Sequence, residues 1–392
     1  MATRATWLED VRVVDADTHM TERHDLWTSR APAAYKDRVP HVEQVDGQPN
    51  WVVDGTVLKF AGGGGVVDPE GGKSPFVESL EWPIELVHPG AWNAKDRLEV
   101  MDQCGIHAQV IFPNTIGLGG QDLSSGVIDP VLRQMCIEIY NDAMADMQAE
   151  SGNRFLPMPV MPAWDVGACV KEAERVAGLG MRGVNMTSDP QDLGAPDLAN
   201  PAWDPFWQAC DALHLPVHFH IGASHTAMTF YGNYFWESQH EYVKPAVGGS
   251  MLFINNARVV INIIFSGLLD RHPGLKLVSV ESGIGWVPFI LETMDYELEE
   301  NAPEQFRQLK RKPSEYFAEH WYATFWFERA QGDVQGLVDK VGEDNILFET
   351  DFPHPTCLYP DPLGYVAEKM ATLRPSSARK IMGDNAAKLY RL

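Results

Sequence analysis

Short β-branched and apolar runs alternate along the chain with segments whose apolar residues recur every three to four positions, the pattern of strand–helix units wound around a parallel sheet. The runs fall at residues 11–14, 109–112, 155–161, 183–186, 216–220, 275–280, 322–326 and 346–349. Helical periodicity occupies 95–103, 130–150, 166–177, 204–213, 251–270, 286–299, 329–340 and 362–373. Eight strands alternating with helices predict an α/β fold, a closed (β/α)8 TIM barrel, with 1–392 forming a single domain. An open doubly wound sheet is the other arrangement, but no Gly-x-Gly-x-x-Gly turn follows the first run, which weakens its nucleotide-binding form.

The rhythm breaks in two places. Between the first and second strands an insertion covers about 38–92, with a hairpin at 51–60 turning on Asp54-Gly55. The run Gly62–Gly65 behind it reads as a mobile strip, either a surface linker or the hinge of a lid. After the fifth strand, 223–249 carries Phe230, Tyr231, Tyr234, Phe235, Trp236 and His240, an aromatic-rich loop suited to walling a substrate pocket or to packing against another subunit. The stretch 376–392 reads as a closing amphipathic helix over the bottom or side of the barrel.

Composition narrows the partners. Lys plus Arg number 31 against 54 Asp plus Glu, and the net charge of −23 opposes binding to nucleic acid or anionic lipid while leaving room for a small-molecule substrate. Five cysteines without a Cys-x-x-Cys pair predict reduced thiols. Residues 1–10 show no secretory leader, and the most apolar stretch, 259–269, is shorter than the ~20 residues a membrane span needs. These features predict a soluble, cytoplasmic protein.

The strand ends carry the chemistry. The first run leads into Asp15-Ala16-Asp17-Thr18-His19, where a period of two places Asp15, Asp17 and His19 on one face, directed to the barrel centre. Ionisable groups there need compensation, and a divalent cation is the simplest. The fifth strand ends His218-Phe219-His220-Ile221-Gly222, with His220 at the active rim and His218 either a ligand or a hydrogen-bonded core histidine. The eighth ends Glu349-Thr350-Asp351-Phe352-Pro353-His354, bringing Asp351 to the rim as a metal ligand and proton carrier. His354 is either a substrate contact or a turn residue. Glu22, just past the first strand, and Glu281, at the end of the sixth, are candidates for a second ion, with Glu281 also a candidate catalytic group. Asn114, Arg182, Asn185 and Trp326 also fall near the rim, more weakly. No Gly-x-Ser-x-Gly elbow, phosphate loop or His-Glu-x-x-His is present.

Taken together, Asp15 to His19 with Glu22, the segment 97–113, His218 to Gly222, Glu281 to Trp286 and Thr350 to His354 resemble the amidohydrolase superfamily, in the branch that includes aminocarboxymuconate-semialdehyde decarboxylase and resorcylate-type decarboxylases. The resemblance implies a (β/α)8 barrel with Asp17, His19, His220 and Asp351 on a divalent ion of zinc, manganese or iron, and a homodimer or related heteromer. Two positions depart from the pattern: Asp17 stands where members carry His or Glu, and Glu281 where the decarboxylases carry His. A carboxylate at the first strand favours manganese or iron more than a His-rich site would. The leading expectation is a metal-dependent hydrolase in which activated water attacks a C–N or C–C bond beside a carbonyl. Non-oxidative decarboxylation, oxygenation at a two-ion iron or manganese centre, and a non-catalytic barrel subunit are the alternatives.

Overall fold

The computed structural model describes residues 8, 10–124, 129–232, 236, 238–302, 304, 309–328 and 332–392. Its strands in chain order are β1 (Val14–His19), β2 (His41–Val45), β3 (Gln48–Val53), β4 (Thr56–Phe60), β5 (Ala108–Phe112), β6 (Phe155–Pro157), β7 (Val184–Asn185), β8 (Val217–His220), β9 (Leu277–Val280), β10 (Trp321–Phe325) and β11 (Ile346–Phe348). Eight of them run parallel in two sheets, ordered β1-β5-β6 and β7-β8-β9-β10-β11. A bridge from Val160 to Asn185 joins the sheets on one side and a bridge from Thr18 to Phe352 joins them on the other, which makes the array the expected (β/α)8 barrel.

Both seams have local causes. Past β6 the chain reads Pro157-Met158-Pro159, and proline offers no N–H to a ladder, so pairing there reduces to Asn185 N–H donating to Pro159 O at 2.8 Å and Met161 N–H to Asn185 O at 3.2 Å. At the other seam Asp351 N–H donates to Asp17 O at 2.9 Å and His19 N–H to Phe352 O at 2.8 Å. Asp15 reinforces it, accepting from Gln109 Nε2 at 3.0 Å and from Thr350 N and Oγ1 at 2.8 and 2.6 Å.

That use of Asp15 corrects the expected inward trio. The β1–β5 register shifts between Asp15 and Thr18, and the irregularity changes which residues face the centre. Val14 and Ala16 belong to the apolar filling of the barrel, Asp15 lies beside Arg97, and Asp17 and His19 turn toward His220. Burial raises Asp15 to about 7, its bonds from Thr350 and Gln109 holding it from rising further.

The barrel filling is unusual in its bottom layer. Ala386, Leu389 and Tyr390, from the helix Asn385–Tyr390, join Val14, Val110, Leu156 and Val280 in one apolar cluster. The chain reaches this position through Pro375–Arg379 and a π-helical turn, Lys380–Asp384, so the closing segment enters the barrel rather than lying over it.

In the insertion, β2, β3 and β4 form an antiparallel meander. Its second turn is the expected one at Asp54-Gly55 (φ 48° and 79°), and Asp46-Gly47 repeats it with φ 51° and 80°, both in the left-handed region that two-residue hairpins require. The glycines at 62–65 are neither linker nor hinge. Gly62, Gly63 and Gly65 are buried, and a Cβ on Gly63 would stand 2.6 Å from Thr21 Oγ1, one on Gly65 2.7 Å from Val87 Cγ1. They serve close packing of backbone over the barrel rim.

The aromatic loop folds as helices His225–Gly232 and Lys244–Phe253, while Tyr234 and Phe235 lie outside the described residues. The expected helix at 251–270 is three pieces, with breaks around Ile254–Asn256 and Gly267. By length and composition alone the run Lys244–Phe265, 22 residues, is apolar enough to cross a membrane, longer than the stretch at 259–269 suggested. Here it packs on the barrel, with buried Asn256 donating from Nδ2 to Phe219 O at 2.8 Å. The start of the helix expected at 329–340 falls outside the described residues, and its remainder is Val334–Val341.

Candidate metal centre

Two histidines define the site. His19 ends β1 and donates from Nδ1 to Pro113 O at 3.3 Å, and His220 ends β8 and donates from Nδ1 to Ile221 O at 2.7 Å. A neutral imidazole with its proton on Nδ1 carries a lone pair on Nε2. The two Nε2 atoms face each other at 3.1 Å, so two lone pairs converge on one point inside a fully buried pocket. A shared cation satisfies both, and a carbonyl accepting the other ring N–H is the usual arrangement around a metal-bound histidine.

Carboxylates complete the ring. Asp17 Oδ1 lies 3.6 Å from His19 Nε2 and Oδ2 lies 3.5 Å from His220 Nε2, yet neither oxygen accepts a hydrogen bond. Glu281 Oε2 stands 3.5 Å from His220 Nε2. One atom from each of Asp17, His19, His220 and Glu281 lies within 4.8 Å of all the others. Asp351 joins through His19, whose Nε2 is 3.7 Å from Oδ1, and a second grouping of His19, Asp351 and His354 meets the same limit. Thr356 Oγ1 donates to Asp351 Oδ2 at 2.8 Å, and among the described residues Oδ1 accepts no hydrogen bond. His354 stacks on His19 with ring centres 3.9 Å apart, puts Nδ1 3.3 Å from Asp351 Oδ1, and donates from Nε2 to Asn114 Oδ1 at 3.0 Å.

The backbone is bent to make this ring. Glu281 and Asp351 both adopt left-handed conformations, with φ 55° and 57°, which costs about 1–3 kcal/mol each and persists only where surrounding structure enforces it. Burial pulls His19 well below its ordinary value, with His354 and His220 adding to the shift. Burial acts the same way on His220, but the Asp17 carboxylate more than offsets it and raises the group. Burial raises Asp17 despite its His220 partner, and it raises Glu281 strongly, reinforced by Asp351 and Asp17.

Some expected participants stand elsewhere. Glu22 is not brought to the ring: it accepts from the N–H groups of Asn114 and Thr115 at 3.0 and 2.9 Å and from Thr115 Oγ1 at 2.6 Å, so both oxygens are engaged in fixing the loop after β5. His218 is a satisfied core histidine, bonded to Val184 O at 3.0 Å and Tyr390 Oη at 2.8 Å. Arg182 donates to Arg391 O at the other end of the barrel, and Asn185 donates to Leu118 O. Trp326 lines a cleft of about 460 Å³ with Phe253, Phe327, Tyr359 and Thr356, the residue that holds Asp351.

One member went unassigned in the sequence. Glu349 is fully buried; its Oε2 accepts from Glu281 N–H at 3.3 Å with the Thr324 hydroxyl alongside, and among the described residues its Oε1 has no hydrogen-bond partner. Burial and the neighbouring Asp17 carboxylate raise it well above the usual range. The available signal was its spacing, two residues before Asp351 at the end of the same strand.

The donor set of two imidazole nitrogens and several unpartnered carboxylate oxygens fits a divalent ion of manganese, iron or zinc. The chain matches the amidohydrolase family over residues 14–392. It is 26% identical over 330 residues to gamma-resorcylate decarboxylase of Polaromonas sp. strain JS666, covering 81% of this chain and 93% of that one. An amidohydrolase from Mycobacterium avium subsp. paratuberculosis K-10 superimposes with a TM-score of 0.75 at 22% identity, covering 97% of this chain and 99% of that one. A dihydroxybenzoic acid decarboxylase from Polaromonas sp. JS666, solved with manganese and 2-nitroresorcinol, superimposes with a TM-score of 0.65 at 17% identity, covering 97% of each.

Proposed function

The chain belongs to the amidohydrolase family, and on that premise we propose that it is a metal-dependent decarboxylase acting on a hydroxylated aromatic acid. The observation that carries this reading is the oriented Asp351 carboxyl, with Oδ2 held by Thr356 and Oδ1 open toward His19 and His354, beside two converging Nε2 lone pairs. Gamma-resorcylate decarboxylases among the relatives favour it over the hydrolysis that the residues first suggested.

His19, His220, Asp17 and Asp351 would hold the ion, and the carboxylate content of that set favours manganese, the metal bound in the Polaromonas dihydroxybenzoate enzyme. A divalent cation there supplies the positive charge that fixes the substrate carboxylate for cleavage. Asp351 delivers a proton to the ring carbon that bears the carboxyl group. The C–C bond then breaks, its electron pair returns to the ring, and carbon dioxide leaves. Thr356 and the seam bond to Asp17 O keep Asp351 aimed during that transfer. His354, stacked on His19 and tied to Asn114, closes the side of the pocket next to Asp351.

The test is carbon dioxide release from a panel of mono- and dihydroxybenzoates by manganese-loaded enzyme. Release from acids carrying a hydroxyl beside the carboxyl group is expected. A panel that yields no carbon dioxide while amide or lactone substrates are cleaved would return the hydrolytic reading.

A further inference from the structure

Glu328 follows β10 and is buried, and its carboxyl is met by main-chain N–H groups. Ile284 N–H donates to Oε1, and Trp326 N–H donates to Oε2 at 3.3 Å. An apolar side chain of similar volume would be buried there at lower cost, so the carboxyl is explained by the groups it answers. One of them lies in the loop that carries Glu281. That loop leaves β9 through two left-handed residues, Glu281 (φ 55°) and Gly283 (φ 67°), and Ile284 lies outside strand and helix. Gly283 meets Glu328 directly: a Cβ on it would stand 2.7 Å from Oε1, so glycine lets the loop close on the carboxyl.

Glu281 Oε2 stands 3.5 Å from His220 Nε2 and groups with Asp17, His19 and His220. Its left-handed backbone needs surrounding structure to enforce it. The Ser279–Ser282 hydroxyl pair at 2.6 Å and Trp286 Nε1 donating to Ser282 O at 3.0 Å tie the loop to its own strand and helix. Glu328 ties it across to the next strand of the barrel. We propose that Glu328 is a positioning residue: by pinning Ile284 to the end of β10, it holds the Glu281 carboxyl in the metal ring. This rests on the reading of that ring as a metal site.

The experiment titrates metal-free full-length protein with MnCl₂ and counts free Mn²⁺ by its six-line paramagnetic resonance signal, with folding checked by circular dichroism and thermal melting. Glu328→Leu leaves Ile284 N–H without its acceptor and is expected to weaken manganese binding about 10–100-fold, the effect of removing a group that orients a ligand. Glu328→Asp, one methylene shorter, should weaken it less, and it decides if the leucine variant does not fold. Glu328→Gln keeps an oxygen for Ile284 N–H and should restore most of the affinity. In the metal-free protein, deuterium uptake at the Ile284 amide should quicken in the leucine and aspartate variants and not in the glutamine one. Glu172→Leu removes another buried carboxyl, held by Asn141 and Arg175, and should lower the melting temperature without changing the affinity. Unaltered affinity in folded Glu328→Leu or Glu328→Asp protein, or equal weakening in Glu172→Leu, overturns the proposal and leaves the decarboxylase reading standing. Unaltered protein that binds no manganese overturns both.

Discussion

His218 and His220 project from the same strand two residues apart, both fully buried, and their surroundings treat them in opposite ways. Toward the bottom of the barrel, His218 has a protein partner for each ring nitrogen, and Tyr390 stacks against it at 5.7 Å. Toward the top, His220 has one nitrogen on a carbonyl and the other aimed at a second lone pair. The lower end is apolar filling around a satisfied histidine. The upper end gathers unpartnered carboxylate oxygens and two left-handed acidic residues. Residue type does not separate the core histidine from the candidate ligand; a nitrogen without a hydrogen-bond acceptor, aimed at carboxylates and a second imidazole, does. The lower end accordingly serves stability, and the upper end trades local stability for a place to bind.

That division can be broken from either side. Asp351→Asn should reduce carbon dioxide release by about 10²–10⁴-fold, the contribution of a positioned proton donor, with the melting temperature of the metal-free protein little changed. A variant that keeps its activity removes Asp351 from the mechanism. At the opposite end, Tyr390→Ala should cost about 3–5 kcal/mol in denaturant unfolding, by opening a cavity and orphaning His218 Nε2, while manganese binding stays intact. Loss of metal binding in a folded Tyr390→Ala protein would show that the two ends are coupled.

Chelation should act on the upper end only. Removing the ion is expected to lower apparent stability by about 2.7 kcal/mol relative to manganese at a hundredfold excess over its Kd, and restoring manganese should reverse it. The smallest effect concerns the closing segment. Glu343, bonded to Lys380, Ser377 and Arg374, is lowered to about 2, chiefly by Lys380. A depressed carboxylate stabilises the fold above its unfolded value and loses that contribution as pH falls toward 2. Glu343→Gln should therefore flatten the acid-side fall in melting temperature slightly, leaving values at neutral pH little changed because the group is partly exposed.

All eight barrel strands were legible because parallel strands buried on both faces read as apolar runs. The first was misplaced at 11–14 because its true span, Val14–His19, is full of polar groups. Asp17, His19, His220, Glu281 and Asp351 were legible as strand-end residues, and the structure gathers them. Asp15 was misread because a register shift breaks the period of two that placed it with Asp17. Glu22 was misplaced and Glu349 was overlooked for the same kind of reason. Proximity in sequence to a ligand said nothing about Thr115, which engages Glu22, or about Glu349 Oε1, which accepts no hydrogen bond among the described residues. The glycines at 62–65 showed composition but not the crowding around them.

The seam where Asp351 N–H meets Asp17 O has a mechanical consequence. The barrel wall narrows to an isolated bridge there, and both sides of the join carry oxygens that face the candidate metal position. An ion held by Asp17 and Asp351, as proposed, would act as a rivet across the join, and opening of the wall and release of the ion would become one event. Deuterium uptake at the His19 and Asp351 amides should then slow on loading, while amides of the continuous β8–β9 ladder keep their rate.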